Sequence, residues 1–172
     1  HPSIVLVLLQ HSANPDLQSI YGDTALMSAA QEGQEACVQA LLRAKANADL
    51  QSNSGQTALM YAADEGHKAC VKALLQAKAN LDLQSNNGGT GLMRAASGGH
   101  EACVKALLRA KANAELIDKD GDTALQWAED NGHTAIAKLI RQHTAPPQPA
   151  AAVPPQATQA EHAAQAARAD AA

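Results

Sequence analysis

Residues 55–67 of the 172-residue chain decide the fold, and they read Gly55-Gln56-Thr57-Ala58-Leu59-Met60-Tyr61-Ala62-Ala63-Asp64-Glu65-Gly66-His67. Largely the same pattern recurs every 33 residues, with its threonines at Thr24, Thr57, Thr90 and Thr123. A fixed period of this length is typical of stacked units, none of which can bury its apolar face alone. Such a stack presents an extended surface, so the sequence predicts a binding protein.

Each unit contains two predicted helices. In the first full unit a turn leads to Thr24, a favourable N-cap, and a helix follows over residues 26–31, before Gly33. A second helix is predicted at about residues 35–44, because its apolar residues form one helical stripe at Cys37, Val38, Leu41 and Leu42. No segment alternates with period two, so we predict an all-α solenoid.

Composition supports a helical stack and argues against several kinds of partner. Alanine inflates the hydrophobic content of 46%, Phe is absent, and small residues let helices approach closely. A net charge of −4 provides no electrostatic footprint for nucleic acid or an anionic membrane, and no apolar run reaches the roughly 18–20 residues of a membrane span. We expect a monomeric intracellular protein, cytoplasmic or alternatively nuclear, with no nucleic-acid, membrane or small-molecule partner.

These residues resemble the ankyrin repeat, whose pattern is close to D-x-x-G-x-T-P-L-H-x-A-A-x-x-G-H-x-x-x-V-x-x-L-L-x-x-G-A. Residues 55–67, followed by Cys70-Val71 and Leu74-Leu75, match this pattern best, and the resemblance covers about residues 1–143. It implies a turn and two antiparallel helices per repeat, stacked into a curved solenoid with projecting turns. It also implies a protein–protein interaction module that binds through its turn tips and concave face.

The resemblance divides the chain into an ankyrin-repeat domain over residues 1–143 and an Ala/Pro/Gln-rich tail over residues 144–172. We expect an N-terminal half repeat at about 1–18 and four repeats at about 19–51, 52–84, 85–117 and 118–143. The tail cannot form a core, so we expect it to be disordered and its P-x-x-P motif to be part of a linker. The half repeat and the missing initiator Met lead us to expect a fragment of a longer protein.

Two departures from the family pattern affect the turns and the helix ends. The histidine that bridges the turns in the family is replaced at Met27, Met60, Met93 and Gln126. We therefore expect the hydrogen bonds between turns to be weakened. The glycine that ends the second helix is replaced at Lys45, Lys78 and Lys111. We expect these lysines to have positive φ, and the alternative carriers are Asn47, Asn80 and Asn113.

Cysteine and histidine recur at the repeat period, and we interpret both as structural. The cysteines are Cys37, Cys70 and Cys103, and the histidines are His67, His100 and His133. Neighbouring repeats lie about 8–10 Å apart, which is too far for a disulfide or a shared metal ion. We expect buried free thiols in a reducing compartment, histidines bonded to neighbouring backbone, and no metal or cofactor. No catalytic motif such as G-x-x-x-x-G-K-[ST] or G-x-S-x-G occurs, so we expect no enzymatic activity.

Lysines also recur along the second helices, at Lys72, Lys105 and Lys138. Together with the lysines at the helix ends, they suggest either an anion-binding stripe or a solvated face that complements the helix dipoles. We favour the solvated face, because Asp49, Asp82 and Glu115 lie close in sequence and should cancel much of the field.

The best candidates for a binding surface are positions that differ between repeats while the surrounding scaffold stays constant. One position on the first helices holds Ser28, Tyr61, Arg94 and Trp127, and Tyr, Arg and Trp often anchor interfaces. With residues of the turns, the predicted partner-binding site comprises Tyr21, Asp23, Asn53, Gln56, Tyr61, Asn86, Arg94, Lys119, Asp122 and Trp127. The alternatives are drift at half-exposed positions and packing of Trp127 within the last repeat. A second hypothesis makes the chain a regulatory or targeting segment of a larger enzyme whose catalytic part is absent here.

Overall fold

The computed structural model describes residues 2–144, which form nine α-helices and no strands. The helices are α1 Pro2–Gln10, α2 Ala25–Gln31, α3 Glu35–Arg43, α4 Ala58–Asp64, α5 Lys68–Gln76, α6 Gly91–Ser97, α7 Glu101–Arg109, α8 Ala124–Asp130 and α9 Thr134–Thr144. The all-α architecture predicted from the sequence is confirmed. The predictions for His1 and for the tail after Thr144, including its P-x-x-P motif, lie outside the described residues.

The first helix of each pair begins at a threonine cap, as its sequence predicts. The Oγ1 atom of Thr24 accepts a hydrogen bond from the backbone N–H of Met27 at 3.2 Å. In return the Sδ atom of Met27 accepts from the backbone N–H of Thr24 at 3.4 Å, which closes a capping box. The side chain of Met27 therefore stabilises the start of its own helix.

The second helices end in Schellman motifs that place a lysine in the left-handed region. The backbone N–H of Lys78 donates to the carbonyl of Leu75 at 3.0 Å, and that of Ala79 donates to the carbonyl of Leu74 at 3.1 Å. Positive φ is found at Lys45 (63°), Lys78 (61°) and Lys111 (68°). The prediction for the lysines is confirmed, and that for the asparagines is wrong. The sequence analysis missed Ser12, which ends α1 with φ of 62°.

Helices pack in two rows, one of first helices and one of second helices. Helices α2, α4, α6 and α8 follow one another in the first row, whereas α1, α3, α5, α7 and α9 form the second row. The contacts between successive first helices are more extensive than those between successive second helices, as expected for a stack with the first helices on its concave side. Paired alanines such as Ala62 and Ala63 are fully buried between the first helices and allow these contacts. All three cysteines are free and buried, as predicted.

Successive turns are joined by hydrogen bonds from residues that the sequence analysis assigned to partner binding. The backbone N–H of Asn53 donates to the carbonyl of Tyr21 at 3.0 Å, and its Nδ2 donates to the carbonyl of Ile20 at 3.0 Å. Asn86 repeats both bonds one unit later. Gly22 permits this close approach, because a Cβ there would lie 2.6 Å from the backbone nitrogen of Asn53. The turns are thus firmly linked despite the loss of the family's histidine.

The histidines that precede the second helices link neighbouring units at the opposite end of the first helices. Nε2 of His67 lies 2.9 Å from the carbonyl oxygen of Gln31, and the same contact is 2.7 Å from His100 to Asp64 and 2.8 Å from His133 to Ser97. This confirms the structural role predicted for the histidines.

Candidate functional site

The candidate site is a row of side chains along the first helices. Ser28 is exposed, and Tyr61, Arg94 and Trp127 are half-buried at the equivalent positions of α4, α6 and α8. The three larger side chains also pack on the core or on one another. Contacts with neighbouring residues therefore hold the three larger side chains of the row.

Tyr61 connects two neighbouring units. Its hydroxyl donates a hydrogen bond to Oδ1 of Asp23 at 3.2 Å, across 38 residues of sequence. The sequence analysis assigned both residues to the partner surface, and the structure brings them together. This bond fixes the orientation of the ring while leaving part of it exposed.

Arg94 and Trp127 form a second pair across the next boundary between units. The guanidinium carbon of Arg94 lies 5.8 Å from the centre of the Trp127 ring, which is within the range of a cation–π contact. Within residues 2–144 the buried Nε atom of Arg94 has no hydrogen-bond partner. Because this atom is inaccessible, a partner can contact Arg94 only through the remaining, exposed part of its half-buried side chain.

Asp118, which was not among the predicted site residues, holds Trp127 by a hydrogen bond. Its Oδ2 accepts a hydrogen bond from Nε1 of Trp127 at 2.9 Å, and its Oδ1 accepts from the backbone N–H groups of Asp122 at 2.9 Å and Asp120 at 3.0 Å. The bond from Asp122 is the largest cause of a lowered pKa at Asp118, and the bond from Trp127 adds to it. The available signal was an aspartate where the other turns have serine, at the start of a turn that favours such local bonds.

The remaining predicted residues lie at the turns. Tyr21 is 69% exposed beside Ile20, which is 85% exposed, so the first turn presents an apolar tip. Asn53 and Asn86 are exposed, but their amides already join the turns. The backbone N–H of Lys119 donates to the carbonyl of Asn87 at 3.1 Å, and its side chain is exposed.

A family model for ankyrin repeats, with three copies, matches residues 1–85 and 77–149. The chain is an ankyrin-repeat protein. No curated protein sequence matches it significantly. Among residues 2–144, no helix combines the length and the hydrophobicity that crossing a bilayer requires.

In this ankyrin-repeat protein the residue before each threonine cap lies at the base of the turn. Asp23, Gln56 and Asp122 occupy that position, and all three are half-buried. Asp23 accepts the bond from Tyr61, and Oε1 of Gln56 is buried without a partner within the described residues. These side chains line the junction between the turns and the first helices.

The three thiols are buried, and His67, His100 and His133 each lie within hydrogen-bond distance of a backbone carbonyl of the preceding unit. Burial is the main cause of raised pKa values at Cys70 and Cys103, which keeps both thiols protonated and unreactive. Within residues 2–144, no three side chains of His, Cys, Asp or Glu are grouped so that they could hold a metal ion.

A groove lies on the other face of the ankyrin-repeat protein, between α5 and α7, and has a volume of about 770 Å³. Long side chains of Lys68, Lys72, Lys105 and Arg109 line it, and Lys105 forms an ion pair with Glu101. The groove is open to solvent, unlike the enclosed apolar pockets that bind most small molecules.

Proposed function

We propose that this ankyrin-repeat protein binds a protein partner across the turn tips and the concave face of its first helices. Ankyrin repeats generally serve as protein–protein interaction modules. The row of Tyr61, Arg94 and Trp127 carries the proposal for this chain. Equivalent positions that serve only to stack the repeats need similar side chains, and these three differ while remaining partly exposed.

The geometry ranks the candidate anchors. Tyr61 and Arg94 are held by neighbouring side chains, so little rotamer entropy remains to be lost when a partner binds. Tyr21 contributes apolar area at the first turn. Asn53 and Asn86 contribute less side-chain energy, because a partner that engaged their amides would have to replace bonds between turns.

The same proposal includes the organisation inferred from the sequence. The repeats occupy residues 1–143, with a half repeat at about 1–18 and full repeats at about 19–51, 52–84, 85–117 and 118–143. In the described structure α9 extends to Thr144. We propose that the protein is a monomeric, non-catalytic scaffold of the cytoplasm.

The test measures melting temperature and partner affinity for the same variants. A partner captured on the full chain is titrated against Tyr21→Ala, Tyr61→Ala and Arg94→Ala, with Gln76→Ala on a second helix as the control. We expect at least one first-row variant to lose more than about 2 kcal/mol of binding free energy, as interface anchors do. Tyr61→Phe keeps the aromatic ring and removes only the hydrogen bond to Asp23, so it distinguishes the contribution of the ring from that of the hydroxyl.

Melting temperatures decide whether a loss of binding is direct. We expect these three variants to lose no more than about 1 kcal/mol of stability, because Tyr61 and Arg94 are only half-buried and Tyr21 is exposed. Normal binding by all three variants would refute the proposed surface. Loss of binding only in variants that also unfold would refute it as well.

A further inference from the structure

Charge is segregated between the two faces of the stack. The second helices and their ends, residues 34–45, 67–78, 100–111 and 133–144, hold ten Lys or Arg and two Asp or Glu. The turns and first helices, residues 19–32, 52–65, 85–98 and 118–131, hold two basic and nine acidic residues. We name the turns and first helices in these ranges the first-helix face. The net charge of the first-helix face is −7, whereas that of the second helices and their ends is +8. The loops that follow the second helices, which hold Asp49, Asp82 and Glu115, belong to neither set.

Helix dipoles favour some cations of the basic face but none of the carboxylates at the ends of α4 and α8. Arg43 and Arg109 lie in the last turns of their helices, where a cation is favourable. Asp64 and Glu65 end α4, Asp130 ends α8, and neither helix has a basic residue in its last turn. Carboxylates at these ends oppose the dipole, so helix stability does not explain them.

Three acidic residues at the ends of the first helices, Asp64, Glu65 and Asp130, form no ion pair within the described residues. Within residues 2–144 the ion pairs are Lys105–Glu101 and Arg141–Glu129. Neither pair involves Asp64, Glu65 or Asp130, and the last two of these are exposed. Their charges remain available to a ligand.

The charges follow a pattern along the stack. Asp64 and Glu65 lie three and four residues after Tyr61, on the same side of α4. Asp130 lies three residues after Trp127 in the same way. The unit between them carries Arg94 as its only charged residue on this face. An aromatic ring with carboxylates therefore stands on either side of a cation.

From this pattern we propose that the partner presents two basic groups separated by a non-basic centre. One basic group binds beside Tyr61 and its two carboxylates, and the other binds beside Trp127 and Asp130. Carboxylates attract Lys and Arg side chains, as do the ring of Tyr61 and the part of the Trp127 ring that Arg94 leaves uncovered, whereas Arg94 repels them. The inference rests on the proposed function and adds the chemistry of the partner.

The spacing of the repeats sets the spacing of the two basic groups. Tyr61 and Trp127 stand two repeats apart, which corresponds to about 16–20 Å at ordinary distances between packed helices. An extended chain covers about 3.3–3.6 Å per residue, so five or six residues, roughly, separate the basic groups of the partner segment.

Two labelled peptides of about 12 residues and identical composition test the pattern with the full chain. The split peptide carries a Lys-Arg pair on each side of a centre that contains Glu. The clustered peptide has its four basic residues together. We expect the split peptide to bind about tenfold more tightly at low ionic strength and to weaken as salt is added. Equal binding of the two peptides would overturn the pattern.

Charge-neutral variants locate the site. We expect Asp64→Asn with Glu65→Gln to weaken the split peptide about tenfold, while the melting temperature stays the same or rises because the dipole is relieved. Glu35→Gln with Glu115→Gln removes the same charge elsewhere and should change binding less than about twofold. An equal loss in both double variants would show only a general field and would overturn the proposal.

Two further outcomes separate this inference from the proposed function. If a second copy's basic helices cover the acidic face, sedimentation at low salt will show mass that rises with concentration, and the proposal is overturned. If captured partners depend on Tyr61 but the peptides show no preference, the charge pattern fails and the proposed surface stands. If neither partner capture nor peptide binding depends on residues of the first-helix face, both the charge pattern and the proposed binding surface are refuted.

Discussion

Replacing Lys78 by glycine should stabilise the protein, although glycine ordinarily destabilises a folded chain. Lys78 is exposed and has φ of 61° at the position of the Schellman motif that glycine prefers. In the left-handed region, a residue with a Cβ lowers the stability of the folded state by about 1–2 kcal/mol through steric strain. Glycine loses about 0.5–1 kcal/mol through the greater freedom of the unfolded chain. The relief of strain therefore exceeds the entropy term.

The comparison that isolates the backbone is Lys78→Gly against Lys78→Ala, because both variants lack the lysine charge. We expect the glycine variant to be more stable by about 0.5–1 kcal/mol. Ala77 is the matched control, since it is exposed, adjacent, and has φ of −76°. Ala77→Gly should lose about 0.5–1 kcal/mol, so the sign of the effect reverses between neighbouring residues.

Urea denaturation followed by far-ultraviolet circular dichroism measures these differences. Glycine at all three positions, Lys45, Lys78 and Lys111, should exceed alanine at all three by about 2 kcal/mol, because well-separated sites contribute nearly additively. If Lys78→Gly is no more stable than Lys78→Ala, the left-handed strain is not what these lysines contribute to the unfolding free energy.

Two other predictions concern the contacts between units. In thermal denaturation, Gly33→Ala should destabilise the protein by about 1–3 kcal/mol more than Gly132→Ala. Both glycines have positive φ, but a Cβ at Gly33 would lie 2.7 Å from the His67 ring, whereas nothing lies within 4 Å of a Cβ at Gly132. Equal losses of stability would refute the role of the contact with His67. The lowered pKa of Asp118 means that its carboxylate stabilises the fold above its ordinary pKa of about 3.9 and loses this effect as pH falls through the lower folded value. Urea denaturation followed by Trp127 fluorescence measures the difference in unfolding free energy between the wild type and Asp118→Asn. This difference should be constant from about pH 7 to 5 and should decrease only below about pH 4. A decrease at higher pH would contradict the lowered pKa.

Local patterns explain why much of the fold could be predicted from the sequence. The threonine caps, the apolar stripes and the lysines at positive φ depend on residues within one turn of each other, and such signals are legible in a single repeat. The repetition supplied four copies of the threonine cap and three copies of the lysine. The predicted start of α2 at residue 26 was one residue late, since the helix begins at Ala25.

Contacts between units explain what could not be predicted. Whether Asn53 binds a partner or the preceding turn depends on which atoms meet across about 33 residues, and no local pattern encodes this. The same is true of Arg94 on Trp127 and of Tyr61 on Asp23. The segregation of charge was legible in the sequence, but only once each charged residue was assigned to its helix row.

The hydrogen bonds between units also have a mechanical consequence. Side-chain bonds from one repeat to the next join residues 31 to 38 positions apart, as in the bond from Asn47 to Asp16 and the bond from Tyr61 to Asp23. Within residues 2–144 these bonds join neighbouring repeats, so we expect a pulling force to detach one repeat from an end without breaking the rest. Each detachment releases about 33 residues, or roughly 110 Å of extended chain. The stack can thus lengthen in equal steps and refold from whatever part of it remains.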